Sequence, residues 1–336
     1  MREPPVDLAI GVLGAALRGQ YGLDLASLTF LPLGHDSSAW VYRADEVAGR
    51  RYFVKVRAGQ LHRASLLVPH YRHDNGVARV CAPLLTTAGE LSGVTGRYAL
   101  IVYPFIDGAS GMARRLSGEQ WRAFGATLRQ IHDMSVPPSL KAALSREQFA
   151  PSWVATVRQI DLLVDANLYG DPFAEEFANF WRARREMICT LVERAKACGQ
   201  QLARRATAFA LCHADLHTGN LLVGDDGQLW IVDWDEVLLA PPERDLMFII
   251  GGISAALVTP DETRHFQRGY GQRAIGPLAI AYYRYAWAVG DIASFGEQAF
   301  LRPEFGELTR RAGLESFRSL FEPGEIVAIA LGSSWP

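Results

Sequence analysis

The segment HADLHTGNLLVGDDGQLWIVDWDE, residues 213–236, concentrates the side chains of this chain that can do chemistry. Asp215 is followed five positions later by Asn220, then by an apolar run, a polar turn, a second apolar run and Asp233. A phosphoryl-transfer loop needs that order. One carboxylate accepts the hydrogen bond of an acceptor hydroxyl and turns it toward a γ-phosphate. An asparagine a few residues on brings its side-chain oxygen to Mg2+, and a second carboxylate, across a hairpin, holds the metal that bridges the phosphates. Asp215 is the candidate catalytic residue, and Asn220 and Asp233 are the candidate metal ligands.

Two other readings compete. His213 and His217 stand four apart, as in helical zinc hydrolases. Such a site needs a glutamate base beside the first histidine, where this chain has Ala214, and Gly219 with a strand after it argues against a helix. Asp225 and Asp226, in VGDDGQ, have the composition of a hairpin turn and read as solvated turn residues.

A phosphate site also needs positive charge and donors. Lys55 lies mid-strand in RYFVKVR, on the face shared by Phe53 and Arg57, with Val54 and Val56 on the other. It is either an ordinary exposed strand lysine or a fixed charge on the α- and β-phosphates of a nucleotide. In the preceding turn, Gly34, Ser37 and Ser38 offer backbone N–H groups and hydroxyls to phosphates, although a lone glycine is no GxGxxG. If Tyr103 ends a strand at the back of a nucleotide pocket, Pro104 offers its C=O and Ile106 its N–H to an adenine edge; an ordinary edge strand ending at proline would look the same.

These residues need a frame. The first hundred residues alternate short β-like runs with turns: residues 28–33, 39–44 and 51–57 read as an antiparallel meander, a helical pattern follows over 61–73, and 97–105 is a further strand stopped by IDG. After Gly108 the period changes. Trp121, Phe124, Leu128 and Ile131 share one helical face with Ser117 as N-cap, residues 171–199 carry a second long helical pattern, and an aromatic-rich helix starts at Pro277. The expectation is an α+β chain of two lobes: a small antiparallel β-sheet lobe over 1–103, a hinge at 104–108, and a mainly helical lobe over 109–336.

Composition narrows the class. At 336 residues with 49% hydrophobic and 21% charged side chains, the chain is an ordinary globular one. Thirty-four basic against 36 acidic residues leave a net charge of −2, which recruits neither nucleic acid nor an anionic membrane. The four scattered cysteines form no CxxC pair, the N-terminus MREPPVDLAI is unlike a signal peptide, and no apolar run is long enough to span a bilayer. A cytoplasmic protein is expected.

Taken together, FVKV, HADLHTGNLLV, IVDWDE and ERDL resemble the aminoglycoside phosphotransferase family, relatives of the protein kinases. The family's usual sequence is H-G-D-L-H-x-G-N, then I-D-[WF], then a downstream D-L; here Ala214 replaces the glycine, a small-for-small change. LLVPHYRHDNGV, CAPLLTTAGEL and YYRYAW look most like its spectinomycin-phosphotransferase branch. The resemblance implies a protein-kinase-like fold, with Asp215 orienting or deprotonating the acceptor hydroxyl, Asn220 and Asp233 on Mg2+, and Lys55 on the phosphates of ATP or GTP. His213 and His217 would support the loop. Asp245, in ERDL, would brace it from behind, unless it is simply a helix N-cap.

One departure stands out. Kinase-like folds pair the strand lysine with a glutamate on the small-lobe helix, yet AGQLHRASLLVPHYRH, residues 58–73, holds no acid. The expected acceptor is a small hydroxylated, cationic molecule of the aminocyclitol or aminoglycoside type. Asp235 and Glu236 would present charge to it; Trp234, Tyr283 and Trp287 would supply flat walls and Asp291 one more carboxylate, although an aromatic stripe at helical spacing is more often core than pocket. A metabolic kinase for choline, homoserine or a sugar is the alternative on the same fold, and a catalytically silent nucleotide-binding module the alternative of another class.

Overall fold

The computed structural model describes residues 3–33, 38–76, 79–167, 171–205, 207–302 and 305–333. Gly34 and Ser37 lie outside these. The chain divides into two compact units. The first comprises Met1–Leu116, Val136–Leu144 and Thr218–Val237; the second comprises Ser117–Ser135, Ser145–His217 and Leu238–Pro336. This division differs from a single cut at 104–108, because Thr218–Val237, with the hairpin it contains, returns to the first unit.

The first unit is built on helix α1 (Ile10–Tyr21), strands β1 (Leu25–Leu31), β2 (Ala39–Glu46) and β3 (Arg51–Ala58), helix α2 (Ala64–Asp74), and strands β4 (Gly93–Thr95), β5 (Tyr98–Pro104) and β6 (Gly108–Ser110). β1 to β5 form one antiparallel sheet in the order β1-β2-β3-β5-β4. Strict alternation decides which face is core. Val54, Val56, Leu100 and Val102 are fully buried on one side, each worth roughly 1.5–3 kcal/mol relative to exposure. The register sets Lys55 opposite Ile101 and Phe53 opposite Tyr103 on the other side. Helix α1, which the sequence reading left out, buries Leu13 and Leu17, and the Tyr21 hydroxyl donates to the Leu100 C=O at 2.7 Å.

β6 pairs with β8 (Leu221–Gly224), which pairs with β9 (Leu229–Ile231). Gly108 is obligatory at this junction: a Cβ there would stand 2.1 Å from the Val223 carbonyl oxygen. The turn from Gly224 to Gln228 closes through the Gly224 N–H to Gln228 C=O bond at 2.8 Å, and Asp225 and Asp226 are exposed in it, as expected. Helix α4 (Pro138–Lys141) completes the unit.

The second unit is mainly helical: α3 (Gly118–His132), α5 (Val154–Ala166), α6 (Pro172–Ala203), α7 (Glu243–Leu246), α8 (Pro260–Tyr270), α9 (Pro277–Phe300), α10 (Glu307–Ser319) and α11 (Ile326–Leu331). Two short strands, β7 (Ala210–Cys212) and β10 (Leu238–Ala240), pair antiparallel. Ser117 caps α3 through a capping box with Gln120, which satisfies amides that otherwise lack partners. Trp121, Phe124, Leu128 and Ile131 are all buried. Helices α3 and α8 cross at near-backbone contact: a Cβ on Gly125 would lie 2.2 Å from the Phe266 oxygen, and one on Gly269 would lie 1.8 Å from the Arg122 oxygen. That crossing brings the end of α3 to the end of α8, where the site begins. Among the described residues no helix is long and apolar enough to cross a membrane.

Candidate active site

The first unit carries Lys55, Asn220, Asp233 and Asp235. A 3-10 turn, Thr218–Asn220, leads into β8. The register Leu221↔Ile231, Leu222↔Trp230, Val223↔Leu229 is extended by the Val232 N–H, which donates to the Asn220 C=O at 3.0 Å. Asn220 and Asp233 therefore flank the open end of one hairpin. Asp233 leaves it with φ at 61°, in the left-handed region that a non-glycine residue enters only when its surroundings hold it there.

Lys55 is 7% exposed, so the ordinary exposed strand lysine is the wrong description. Its ammonium reaches Asp233 Oδ1 at 2.9 Å and Asp235 Oδ2 at 2.8 Å. Burial by itself would lower its pKa, but the two carboxylates outweigh that and hold it above the ordinary lysine value. Arg57, on the same face of β3, also binds Asp235 Oδ2, and His62 Nδ1 donates to the Asp235 C=O at 3.1 Å. Burial pushes the neighbouring Tyr103 hydroxyl well above the usual phenol value, so it stays protonated.

At the hinge, the Phe105 N–H is spent on the Arg51 C=O, 3.1 Å away. Pro104 opposite Tyr52 is then a non-hydrogen-bonded pair of the ladder, and its C=O points away from β3. Pro104 and Ile106 line a cavity of about 640 Å3 together with Cys81, Leu84 and Trp230. The Ser38 C=O accepts the Ala58 N–H at 2.9 Å, which closes the end of the β2–β3 pair. Trp234 is 2% exposed, and its indole N–H points at the Ile231 C=O, 3.4 Å away. Its ring is core, not a ligand wall. Glu236 is exposed.

The second unit carries the loop with Asp215. Residues 213–217 are not helical, so the four-residue spacing of His213 and His217 does not align them for zinc. His213 is fully buried and its Nδ1 accepts the Asp215 N–H at 3.3 Å. Ala214 has φ at 71°. The glycine-to-alanine difference is therefore one of conformation as well as size, because alanine in the left-handed region costs about 1 kcal/mol.

The loop hangs from Asp245, which is fully buried. Its two oxygens accept the Ala214 N–H at 2.6 Å and the His213 N–H at 3.0 Å. It sits inside α7, whose N-cap position is Pro242, so it is no N-cap. His132 Nε2 donates to the same carboxylate at 2.9 Å, and His132 Nδ1 lies 2.7 Å from the Tyr270 hydroxyl. Burial would raise the Asp245 pKa; the hydrogen bond and charge of His132, with the loop amides, more than reverse this and hold it below the usual carboxylate value. His132, Cys212 and Asp245 have the composition of a metal centre, yet the carboxylate is taken up by these bonds and the Cys212 thiol leans on the carbonyls of Ala240 and Pro241. Burial also pushes that thiol well above its ordinary value, which disfavours a thiolate ligand.

His132 and Tyr270 were missed from the sequence. The available signal was position: His132 follows Leu128 by four on the buried face of α3. On the outer side of the loop, His217 Nε2 stands 3.4 Å from Asp215 Oδ1. From His217 the rings continue to Phe248, 6.3 Å, and from Phe248 to Trp287, 4.9 Å. Asp291 follows one turn along α9 and is pushed up to about 7 by burial, with the Trp287 hydrogen bond opposing. Arg244 lies over both Tyr283 and Trp287, and Tyr283 itself is 1% exposed.

The fold and these two sets of residues define a phosphotransferase with the protein-kinase-like fold. Residues 29–288 match the Phosphotransferase enzyme family, and the chain belongs to it. It is similar over 97% of its length, and 99% of the other chain, to the spectinomycin phosphotransferase APH(9)-Ia solved with ADP and spectinomycin, at 32% identity and a TM-score of 0.86. It is 28% identical to Protein StrN of Streptomyces griseus over 84% of this chain and 83% of that protein. Amicoumacin kinase hAmiN shares the fold, at a TM-score of 0.62 and 18% identity.

Proposed function

We propose that this phosphotransferase moves the γ-phosphoryl group of ATP or GTP to a hydroxyl of a small, cationic aminocyclitol or aminoglycoside antibiotic, with spectinomycin as the leading candidate. The observation that carries the substrate class is the whole-length likeness, at 32% identity, to a spectinomycin phosphotransferase solved with its antibiotic. The motif residues carry the proposed chemistry. Asp215 accepts the proton of the acceptor hydroxyl as its oxygen forms a bond to the γ-phosphorus; the bond from that phosphorus to the β–γ bridging oxygen breaks, and the nucleoside diphosphate leaves.

Lys55 would contact the α- and β-phosphates, and Gly34, Ser37 and Ser38 would cover them. Pro104 and Ile106 would meet the base edge. Asn220 and Asp233 fit Mg2+: both present hard oxygen donors, and the Asp233 side chain is 44% exposed. The ion would neutralise charge on the β- and γ-phosphates. His213, His217 and Asp245 keep Asp215 in place. Asp291 and Trp287 would take a cationic group of the acceptor, because a carboxyl raised to about 7 ionises more readily when an ammonium arrives. A nucleoside triphosphate co-substrate and four cysteines without disulfides fit the cytoplasm.

The test is release of ADP and GDP, with Mg2+, against spectinomycin, other aminoglycosides, hygromycin, choline and simple sugars, with Asp215→Ala alongside. Turnover of an aminocyclitol or aminoglycoside, reduced about 10²–10⁴-fold in the variant, is expected. Turnover of choline or a sugar alone would replace the antibiotic with a metabolic acceptor, and tight nucleotide binding without any phosphorylated product would favour a silent module.

A further inference from the structure

In the related kinases the strand lysine is held by a glutamate of the small-lobe helix, and this chain has none to offer. Residues 58–73 hold no acid. The one acid of α2 is Asp74, its last residue, which pairs with His70 at 3.4 Å and has a 55% exposed side chain. A buried ammonium still has to be matched by opposite charge. Two carboxylates do this for Lys55, and they are not equivalent. Asp233 is the candidate metal ligand and more than twice as exposed as Asp235, at 44% against 20%. Asp235 is fixed from three sides, by Lys55 and Arg57 on its carboxylate and by His62 on its backbone carbonyl. His62 is itself fixed: the Ser65 hydroxyl at the start of α2 donates to its C=O at 2.7 Å.

We infer that Asp235 is the positioning residue that anchors Lys55, in the place that the helix glutamate has elsewhere. The inference rests on the phosphotransferase reading and reassigns Asp235 away from the acceptor pocket. The charges bear this out. Lys55 and Arg57 balance Asp233 and Asp235, two against two. Once Asp233 turns its charge to the metal, Asp235 remains to hold the lysine at the phosphates. The anchor then comes from the chain just after the candidate metal ligand, so the lysine and that ligand are set by one short segment, with His62, just before α2, bracing it.

The experiment compares wild type, Asp235→Asn, Asp235→Glu, Lys55→Ala and the Lys55→Ala/Asp235→Asn double variant. Binding of a non-hydrolysable ATP analogue with Mg2+ is measured by calorimetry, and KM is measured for nucleotide and acceptor separately. Asp235→Asn should weaken nucleotide binding by about tenfold or more, leave the acceptor KM within about twofold, and add nothing in the Lys55→Ala background. Asp235→Glu should recover part of the loss. A raised acceptor KM with unchanged nucleotide binding, or full additivity with Lys55→Ala, overturns the inference. Should Asp235→Asn not fold, Arg57→Gln takes its place: releasing one arm of Asp235 must weaken nucleotide binding in the same direction, and unchanged binding counts against the anchor. Wild type that binds no nucleotide removes the phosphotransferase reading itself, whereas wild type that binds and an Asp235→Asn that binds equally well removes only the anchor.

Discussion

The two halves of the motif are held by opposite means. The loop 213–217 in the second unit lies in no named strand; its His213 and Ala214 amides are tied to one buried side chain, Asp245, which His132 and Tyr270 support in turn. The hairpin that begins at Asn220 in the first unit is held by its own backbone register, through to the Val232 N–H on the Asn220 C=O. A loop suspended from a side chain can be released by a single substitution. A hairpin end is harder to release, because the backbone pairs that place it survive a change of side chain. The candidate catalytic aspartate is thus on the breakable support, and the candidate metal ligands are on the robust one.

Asp245→Ala should break the contrast most. It removes a fully buried carboxylate and leaves two amides and His132 without their acceptor, a loss of about 3–5 kcal/mol in urea unfolding together with most of the activity. The pH dependence has a definite sign. The folded pKa of Asp245 lies below its unfolded value of about 3.9, so its contribution is fully present above that value and is lost as pH falls through the folded pKa. The variant should show a shallower fall of stability in acid. An equal acid slope in both proteins would mean that Asp245 is not the carboxylate that matters.

Gly269→Ala tests the same support from further away. A methyl group there meets the Arg122 oxygen at 1.8 Å, so α3 and α8 must separate, at a cost of about 1–3 kcal/mol. Because α3 ends at His132 and α8 at Tyr270, kcat should fall as well. Loss of stability with kcat intact would show that the relay tolerates the shift. Ala214→Gly should move the other way and raise stability by up to about 1 kcal/mol, through relief of the positive φ less the greater freedom of glycine in the unfolded chain. A lower melting temperature would contradict the strain. The smallest stability effect belongs to the hairpin. Asn220→Ala should change unfolding by about 1 kcal/mol or less, since the backbone bond to Val232 survives, while turnover collapses. If stability fell as far as in Asp245→Ala, the two halves would not differ in kind.

What was legible from the sequence follows the same contrast. Asp215, Asn220 and Asp233 stand out as candidates because the motif they form lies at short spacings within one segment. The strand face of Lys55 was readable from alternation, and the N-cap Ser117 from its place before a helical apolar face. The supports were less so. His132 reaches Asp245 across 113 residues, and Asp245 reaches back 32 to His213; a polar residue on an apolar helix face has no period to betray its partner. Asp235 was read as a charge for the acceptor, because nothing local says that β3 presents both Lys55 and Arg57 to it. Trp234 and Tyr283 were nominated as walls for their flatness, but the space around them is filled. The difference between alanine and glycine at position 214 was read as one of size because backbone angles are not written in a one-letter code.

The suspension of the loop also gives it a clock. Amide hydrogens in a surface loop trade with solvent deuterium almost at once, whereas those of His213 and Ala214 point into a buried carboxylate. They can trade only when the loop lets go of Asp245. Two isotope-labelled amides therefore report, without any substrate, how often the loop that carries Asp215 is out of place.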